Sequence, residues 1–430
     1  MSTATQSSTA TQSSAAAQSS TAAQAPHRAA STPARHADRR RLRALPDRAA
    51  FHLQTSIVVT FLAASSAPTP LYGRYQAQWH FSPITTTAVF GVYALAVLGA
   101  LLTVGSLSDH VGRRPVLITA IALQAASMLV FSTAGSVSAL MAGRVVQGVA
   151  TGGALGAVGA GLLDLHRAKG TITNAVAPLA GTATGSLLSG VLVRYLPAPE
   201  HLVYLVLFAA FAAQATGVAL MRETSAREDG ALASLRPRLG VPSAARGPLL
   251  KAAPVLVALW ALAGFYGSVG PAVVALVTGS HSPVLGGLSL FVLAASGALA
   301  VLLLRGALPR TVMLLGALLL SVGVVVTLMG METRSGLVFF VGAVIAGAGF
   351  GAGFQGAIRT VVPLAAPHER SGLLSTVYVI SYLAMGLPAV VGGFLIVHAG
   401  LLPAAREYGA AVVILAAGAL AAVARPAARV

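Results

Sequence analysis

Three groups of residues in this 430-residue chain are of types that do chemistry. The first is SLSDHVGRRPV, residues 106–116, where Asp109, Arg113 and Arg114 stand between two long apolar runs, with Gly105 and Gly112 beside them. An acid four residues before an arginine can close and reopen a salt bridge, and a glycine between them permits the tight turn. Such a group does not make bonds; a positive-inside hairpin would explain its arginines, though not the acid and two glycines at this spacing. The second is Arg144 with Gln147, three residues apart and so on one helix face, inside an apolar run. An ionisable group in such a run is costly. Arg144 either hydrogen-bonds neighbouring carbonyls as a fixed element or lines a cavity. The third is a set of polar and aromatic residues within apolar runs: Tyr93, Asn174, Trp260, Phe265, Tyr266, Gln355, Tyr378 and Tyr382. These are lining residues, or packing and interfacial-belt residues.

What is missing narrows the chemistry. All eleven Asp and Glu fall in the N-terminal tail, in loops or at run ends, and there is no cysteine. No run offers metal-ligand spacing or a nucleophile paired with a base, and no phosphate-binding Gly-Lys loop occurs. An enzyme is therefore not expected, nor is a cofactor, a metal or ATP as energy source.

Apolar runs must position these residues. Hydrophobic residues make up 56% of the chain and charged ones 9%, with mean hydropathy +0.80, whereas soluble domains are roughly a quarter charged. The net charge of +17 would suit nucleic acid only if basic residues were interleaved with aromatics on a soluble surface. Here they sit in short gaps between apolar runs, so the expected partner is the lipid bilayer and no nucleic acid. About 20 apolar residues make a crossing helix. Twelve runs qualify: 52–73, 83–105, 115–134, 137–161, 171–194, 201–221, 252–278, 284–304, 311–330, 335–359, 372–397 and 402–424. Ser82 is expected to cap the second, with Pro83 at its first helical position. The fold class is all-α membrane protein. With the N-terminus inside, 23 of the 28 Lys and Arg lie on the cytoplasmic side, four outside and Arg144 within a span. Both termini are expected in the cytoplasm.

Residues 2–25 repeat a six-residue Ser/Thr/Ala/Gln pattern without a bulky apolar side chain. They have neither the charged nor the apolar region of a signal peptide, and 1–50 reads as a disordered cytoplasmic tail. Residues 222–251 form a polar linker between two six-helix bundles, 51–221 and 252–424, with 425–430 as a cytoplasmic C-terminus. A faint repeat links the bundles: DHVGRRPV (109–116) and RGALPRTV (305–312) each join the second and third spans of their half, without acid or turn glycine in the second copy.

This pattern resembles the major facilitator superfamily of secondary transporters. GSLSDHVGRRPVL (105–117) is similar to that family's loop between spans two and three, RVVQGVATGG (144–153) to its fourth-span pattern, and GTATGSLLSG (181–190) to the fifth-span glycine pattern of its antiporters, with Ser186 where proline is usual. With APTPLY (67–72), the loop looks most like bacterial efflux-type members. The resemblance implies two pseudo-symmetric six-helix bundles and alternating access by a monomer to a small-molecule substrate. It makes Gly105, Asp109, Gly112, Arg113 and Arg114 a gate latch, with Asp109 and Arg113 tying the halves together when the cytoplasmic side is closed. Asp164 and Arg167 are candidates for the same ion-pair network. Arg144, Gln147, Tyr93, Trp260, Phe265, Tyr266, Gln355 and Tyr378 are the expected cavity residues. Export of a drug-like or metabolite compound, with proton coupling resting on the resemblance alone, is the leading expectation. A passive facilitator or importer of the same fold is the first rival, and a non-transporting receptor or scaffold the second.

Overall fold

The computed structural model describes residues 45–225, 228–366 and 368–424, so nearly all of the expected tail and the segment 425–430 lie outside it. Among the described residues there is no strand. Fifteen α-helices follow in order: α1 (Asp47–Ser66), α2 (Tyr72–Trp79), α3 (Pro83–Val104), α4 (Leu107–Val111), α5 (Arg113–Ser132), α6 (Val137–Leu165), α7 (Arg167–Tyr195), α8 (Pro199–Ala219), α9 (Ala231–Ser234), α10 (Ser243–Thr278), α11 (Pro283–Leu303), α12 (Pro309–Glu332), α13 (Gly336–Val361), α14 (Arg370–Ala399) and α15 (Leu401–Ala424). Twelve helical stretches are long and apolar enough to cross a membrane. The chain is a multi-pass membrane protein.

Two helices and one cap differ most from expectation, each for a local reason. The first helix begins at Asp47, whose charge suits a helix N-terminus, and stops at Ser66 because Pro68 and Pro70 follow; Thr69–Leu71 form a 3-10 turn into α2. α10 begins at Ser243, well inside the expected linker, because Ala245 and Leu249 are buried while Arg246 and Lys251 stay exposed. That amphipathic turn falls below any purely apolar criterion. Ser82 precedes α3 in an extended conformation but makes no side-chain cap; its hydroxyl meets that of Thr85 at 3.3 Å instead.

Two hydrophobic cores hold the helices. One draws on α1 to α8, the other on α10 to α15. Lipid tails are as apolar as leucine, so association in a membrane depends on close packing of small residues. α12 and α13 show this most clearly. Gly316, Gly323 and Gly330 recur every seven residues on α12, and Gly342, Gly349 and Gly356 do so on α13. A Cβ at any of the six would lie closer than 3.0 Å to backbone of the other helix. Elsewhere on α12, Leu318, Val322, Val325 and Met329 are exposed, an apolar stripe suited to lipid.

A third apolar cluster joins the halves, with Phe90, Tyr93, Ala94, Val97 and Leu98 of α3 against Tyr382, Met385 and Ala389 of α14. α7 packs on α11 in the same way. The closest of these junctions share one end of the bundle. Gly190 abuts Pro283, Gly91 abuts Val390 and Gly386, and Gly393 abuts Thr87. All lie in the first half of α3 or α11 or the second half of α7 or α14. At the opposite end the linker joins the halves, Gly240 donating its N–H to the Gly372 carbonyl at 3.4 Å.

Candidate functional site

The charged turn is built around Arg113, which is 8% exposed. Gly112, at φ 102°, reverses the chain between α4 and α5. A Cβ there would also meet the Glu223 carboxylate, the movable end of a flexible side chain, so it is the positive φ that calls for glycine. The Arg113 guanidinium is ion-paired with Asp109, donates to Ser108 Oγ at 2.7 Å, and reaches Asp164 Oδ2 at 3.3 Å. Asp109 does not hold the N-terminus of α5, because it sits on α4 facing the arginine side chain. Glu223 does so instead. Its carboxylate accepts the backbone N–H groups of Arg113 and Arg114 at 2.7 and 3.1 Å, supplying a helix end that has no acceptors of its own. Arg114 donates to the last carbonyl of α8, Ala219. Among the described residues the ion pairs thus lie within the first half and bring in the linker, with no residue of α10 to α15 among their partners. The Gly105 carbonyl lies against Gly156 of α6, fixing where α3 meets that helix. Asp164 joins the network; Arg167 is exposed at the start of α7.

The linker is stitched along this turn. Glu228 N–H donates to the His110 carbonyl at 3.0 Å, His110 Nδ1 meets the Asp229 carbonyl at 3.0 Å, and Ser106 Oγ donates to Ser234 O at 3.2 Å. The second copy of the turn is held differently. Arg359 of α13 donates to the Ala307 carbonyl at 2.9 Å, where the first half uses the acid Asp164.

Arg144 is fully buried. It donates to Ser65 O at 2.8 Å, to Gln147 Oε1 at 2.7 Å and to the Tyr72 hydroxyl, while Gln147 donates to Ala64 O at 3.0 Å. Ser65 and Ala64 close α1, where the prolines leave carbonyls without intrahelical partners. Arg144 therefore caps a broken helix. Its guanidinium carbon also lies 5.3 Å from the Tyr93 ring centre, with Tyr72 and Phe131 at 5.7 and 5.8 Å. Every one of these groups is neutral.

The expected cavity residues separate into two sets. Phe265 and Tyr266 belong to the second half's own core: Phe265 packs on Tyr408 at 5.1 Å, and Tyr266 stacks on Phe339 at 5.9 Å with its hydroxyl 3.3 Å from Thr327. Gln355 turns to α11, donating to Val301 O at 3.2 Å, and Asn174 turns to α6, donating to Gly159 O at 2.9 Å. Trp260 instead meets Phe350, Phe354 and Tyr382 at 5.7, 5.6 and 5.5 Å, and Tyr378 and Tyr93 share the apolar cluster it packs against. α10 is buried on nearly all sides along 252–270 except at Ala253, Pro254, Val257, Trp260 and Ala263, one face at helical spacing. Phe350 and Phe354 are not singled out by the sequence, where they lie within the small-residue run GAGFGAGFQG (347–356). Their four-residue spacing was the available signal. In that run Gly349 and Gly356 pack on α12, and Gly347 and Gly351 on α11.

The geometry offers an ion-pair network at one end, a glycine-lined junction at the other and an aromatic wall between. A family model described as Major Facilitator Superfamily matches residues 55–308. Among solved structures, a POT family transporter in complex with 5-aminolevulinic acid is similar at 10% identity, over 86% of this chain and 95% of that one, with TM-score 0.69. The nucleoside transporter NupG matches at 12% identity, over 87% and 100%, with TM-score 0.64. The human organic anion transporter MFSD10 (TETRAN) matches at 17%, over 87% and 100%, with TM-score 0.58. At these identities the likeness is one of fold. No curated protein matches the chain in sequence.

Proposed function

The chain belongs to the Major Facilitator Superfamily, and on that footing we propose that it is a secondary active transporter exporting a small organic compound across the cytoplasmic membrane by alternating access. The observation that carries the reading is the asymmetry of the junction. The halves meet most closely through Gly190 with Pro283, Gly91 with Val390 and Gly393 with Thr87, all at one end. Below that junction, toward the linker, the face of α10 through Val257 and Trp260 is half-exposed. Such an arrangement supports a cavity between two bundles that is open on the linker side. The excess of basic residues on that side supports its being the cytoplasm, with both termini there.

In this reading the bundles rock about the substrate. Gly105, Asp109, Gly112, Arg113, Arg114 and Asp164, with Glu223 added from the linker, form the gate network. Its role is to hold the turn in shape while the second half approaches or withdraws. The three neighbours are named for a nucleoside, for an organic anion and for a complex with 5-aminolevulinic acid. Their diversity leaves the substrate to the chain's own side chains.

A second reading, a passive facilitator or importer, is favoured by one observation: no Asp or Glu lies in the middle of any span, the acids of the described helices falling within two turns of an end. A carboxylate alternating between the two faces is the usual carrier of a coupled proton. A substrate screen in cells lacking their own exporters, with and without a proton-gradient uncoupler, separates the two readings. Accumulation that falls on expression and recovers with uncoupler supports coupled export. Equal flux in both directions, insensitive to uncoupler, supports the facilitator.

A further inference from the structure

The aromatic wall and the charge behind it bear on the class of substrate, an inference that rests on the transporter reading. We propose that Trp260, Phe350, Phe354, Tyr378 and Tyr382 bind the ring of an aromatic carboxylate, and that aromatic cations are rejected.

The ring preference follows from the surface. Trp260 packs edge-on against Phe350 and Phe354, with interplanar angles of 70° and 82°, and is tilted by 35° to Tyr382. It is half-buried, on the one face of α10 that keeps surface. A flat apolar group can extend this packing, since aromatic pairs favour edge-to-face and offset arrangements.

The need for an acceptor follows from the indole. Trp260 Nε1 is buried and has no hydrogen-bond partner. An indole N–H is a donor only, and a buried donor left unmade carries its full desolvation penalty. A carboxylate oxygen at the wall would remove it.

The sign of the charge follows from Arg144. Its guanidinium is buried among neutral partners, so dipoles solvate the charge without cancelling it. Tyr93, whose ring centre lies 5.3 Å from the guanidinium carbon, belongs to the same apolar cluster as Tyr382, against which Trp260 and Tyr378 pack. With no carboxylate in the middle of any span, no acidic side chain within the spans cancels that charge, and apolar surroundings screen it weakly. Aromatic rings can attract a cation through their faces, but the buried Arg144 guanidinium beside Tyr93 repels it.

The chain has two tryptophans, so Trp79→Phe leaves Trp260 as the single fluorophore. Purified Trp79→Phe protein is titrated with 4-nitrobenzoate, 4-nitrobenzamide and 4-nitrobenzyltrimethylammonium, three nitroaromatic quenchers differing in charge. Saturable quenching is expected, tightest for the carboxylate and at least about tenfold weaker for the cation. In equilibrium dialysis Trp260→Phe, which keeps a ring and loses the N–H, should bind 4-nitrobenzoate several-fold more weakly than the parent. A cation that binds as tightly as the carboxylate, or an absence of saturable quenching by 4-nitrobenzoate, overturns the proposal. Flux in proteoliposomes distinguishes its failure from that of the reading beneath it. Transport of the cation without the carboxylate refutes the substrate class alone, whereas tight carboxylate binding without flux or exchange refutes the transporter and leaves the site.

Discussion

Ser186 and Gly287 face each other across the junction of the two halves, the buried serine hydroxyl donating to the glycine carbonyl at 2.9 Å. Gly287 is pressed so closely onto α7 that a Cβ would collide with the Ser186 carbonyl. Thr69 repeats the arrangement, donating to the Gly267 carbonyl at 3.1 Å. In both, a side-chain hydroxyl uses the second lone pair of a helical carbonyl, so the junction can part without breaking a backbone hydrogen bond. The serine that replaces the usual proline therefore has a partner of its own.

Ser186→Ala removes one such bond, worth about 1 kcal/mol net. The variant should remain folded but open more often on the side away from the linker. A cysteine at Ala94, buried in the α3 and α14 junction, should react with an impermeant maleimide roughly fivefold faster in this background. An unchanged rate would show that the contact does not hold the junction.

Asp109→Asn keeps the size of the side chain and removes its charge. Arg113 retains Asp164 at 3.3 Å, so membrane insertion should be normal, while transport should fall several-fold, the half-exposed pair being worth about 1 kcal/mol or less. Parental transport by a fully inserted variant would reduce the turn to a topology signal.

Arg144→Lys should be poorly tolerated although the charge is kept. An ammonium lacks the planar fork that serves Ser65 O, Gln147 Oε1 and Tyr72 together, and each buried group left unmatched costs about 1–3 kcal/mol. A clear drop in melting temperature in detergent is expected, and a parental melting curve would count against the helix-capping role.

Gly323→Ala sets two effects against each other. Alanine favours a helix by about 1 kcal/mol over glycine, but here its methyl would strike the α13 backbone at Ala346, and overpacking costs about 1–3 kcal/mol. The variant should be less stable. Gly99→Ala, where a Cβ meets nothing within 4 Å, should be as stable as the parent or slightly more so. The same thermal denaturation series reads both.

Parts of this were legible in the sequence and parts were not. The turn at Asp109, Gly112 and Arg113 stood out because charge between two apolar runs has few explanations. Glu223 did not, because its bonds to the Arg113 and Arg114 N–H groups join residues about 110 apart in the chain, and nothing local marks an acid that caps another helix. Arg144 was visible as costly, but whether it faced a cavity or a helix end depended on the break at Pro68. Trp260, Phe265 and Tyr266 looked alike in sequence. From residue 252 onward α10 is apolar on every side, so periodicity could not tell the face toward the other half from the faces toward its own core.

Alternating service of one cavity from two faces is tested most directly by thiol labelling, which the absence of native cysteine makes clean. Val257→Cys places a thiol on the half-exposed face below Trp260, and Ala94→Cys places one in the closed junction. In vesicles of known orientation, an impermeant maleimide is predicted to modify Val257→Cys from the cytoplasmic face and Ala94→Cys only from the exterior. Adding a transported compound should shift the two rates in opposite directions. Modification of both positions from the same face, or rates that rise and fall together, would contradict the account.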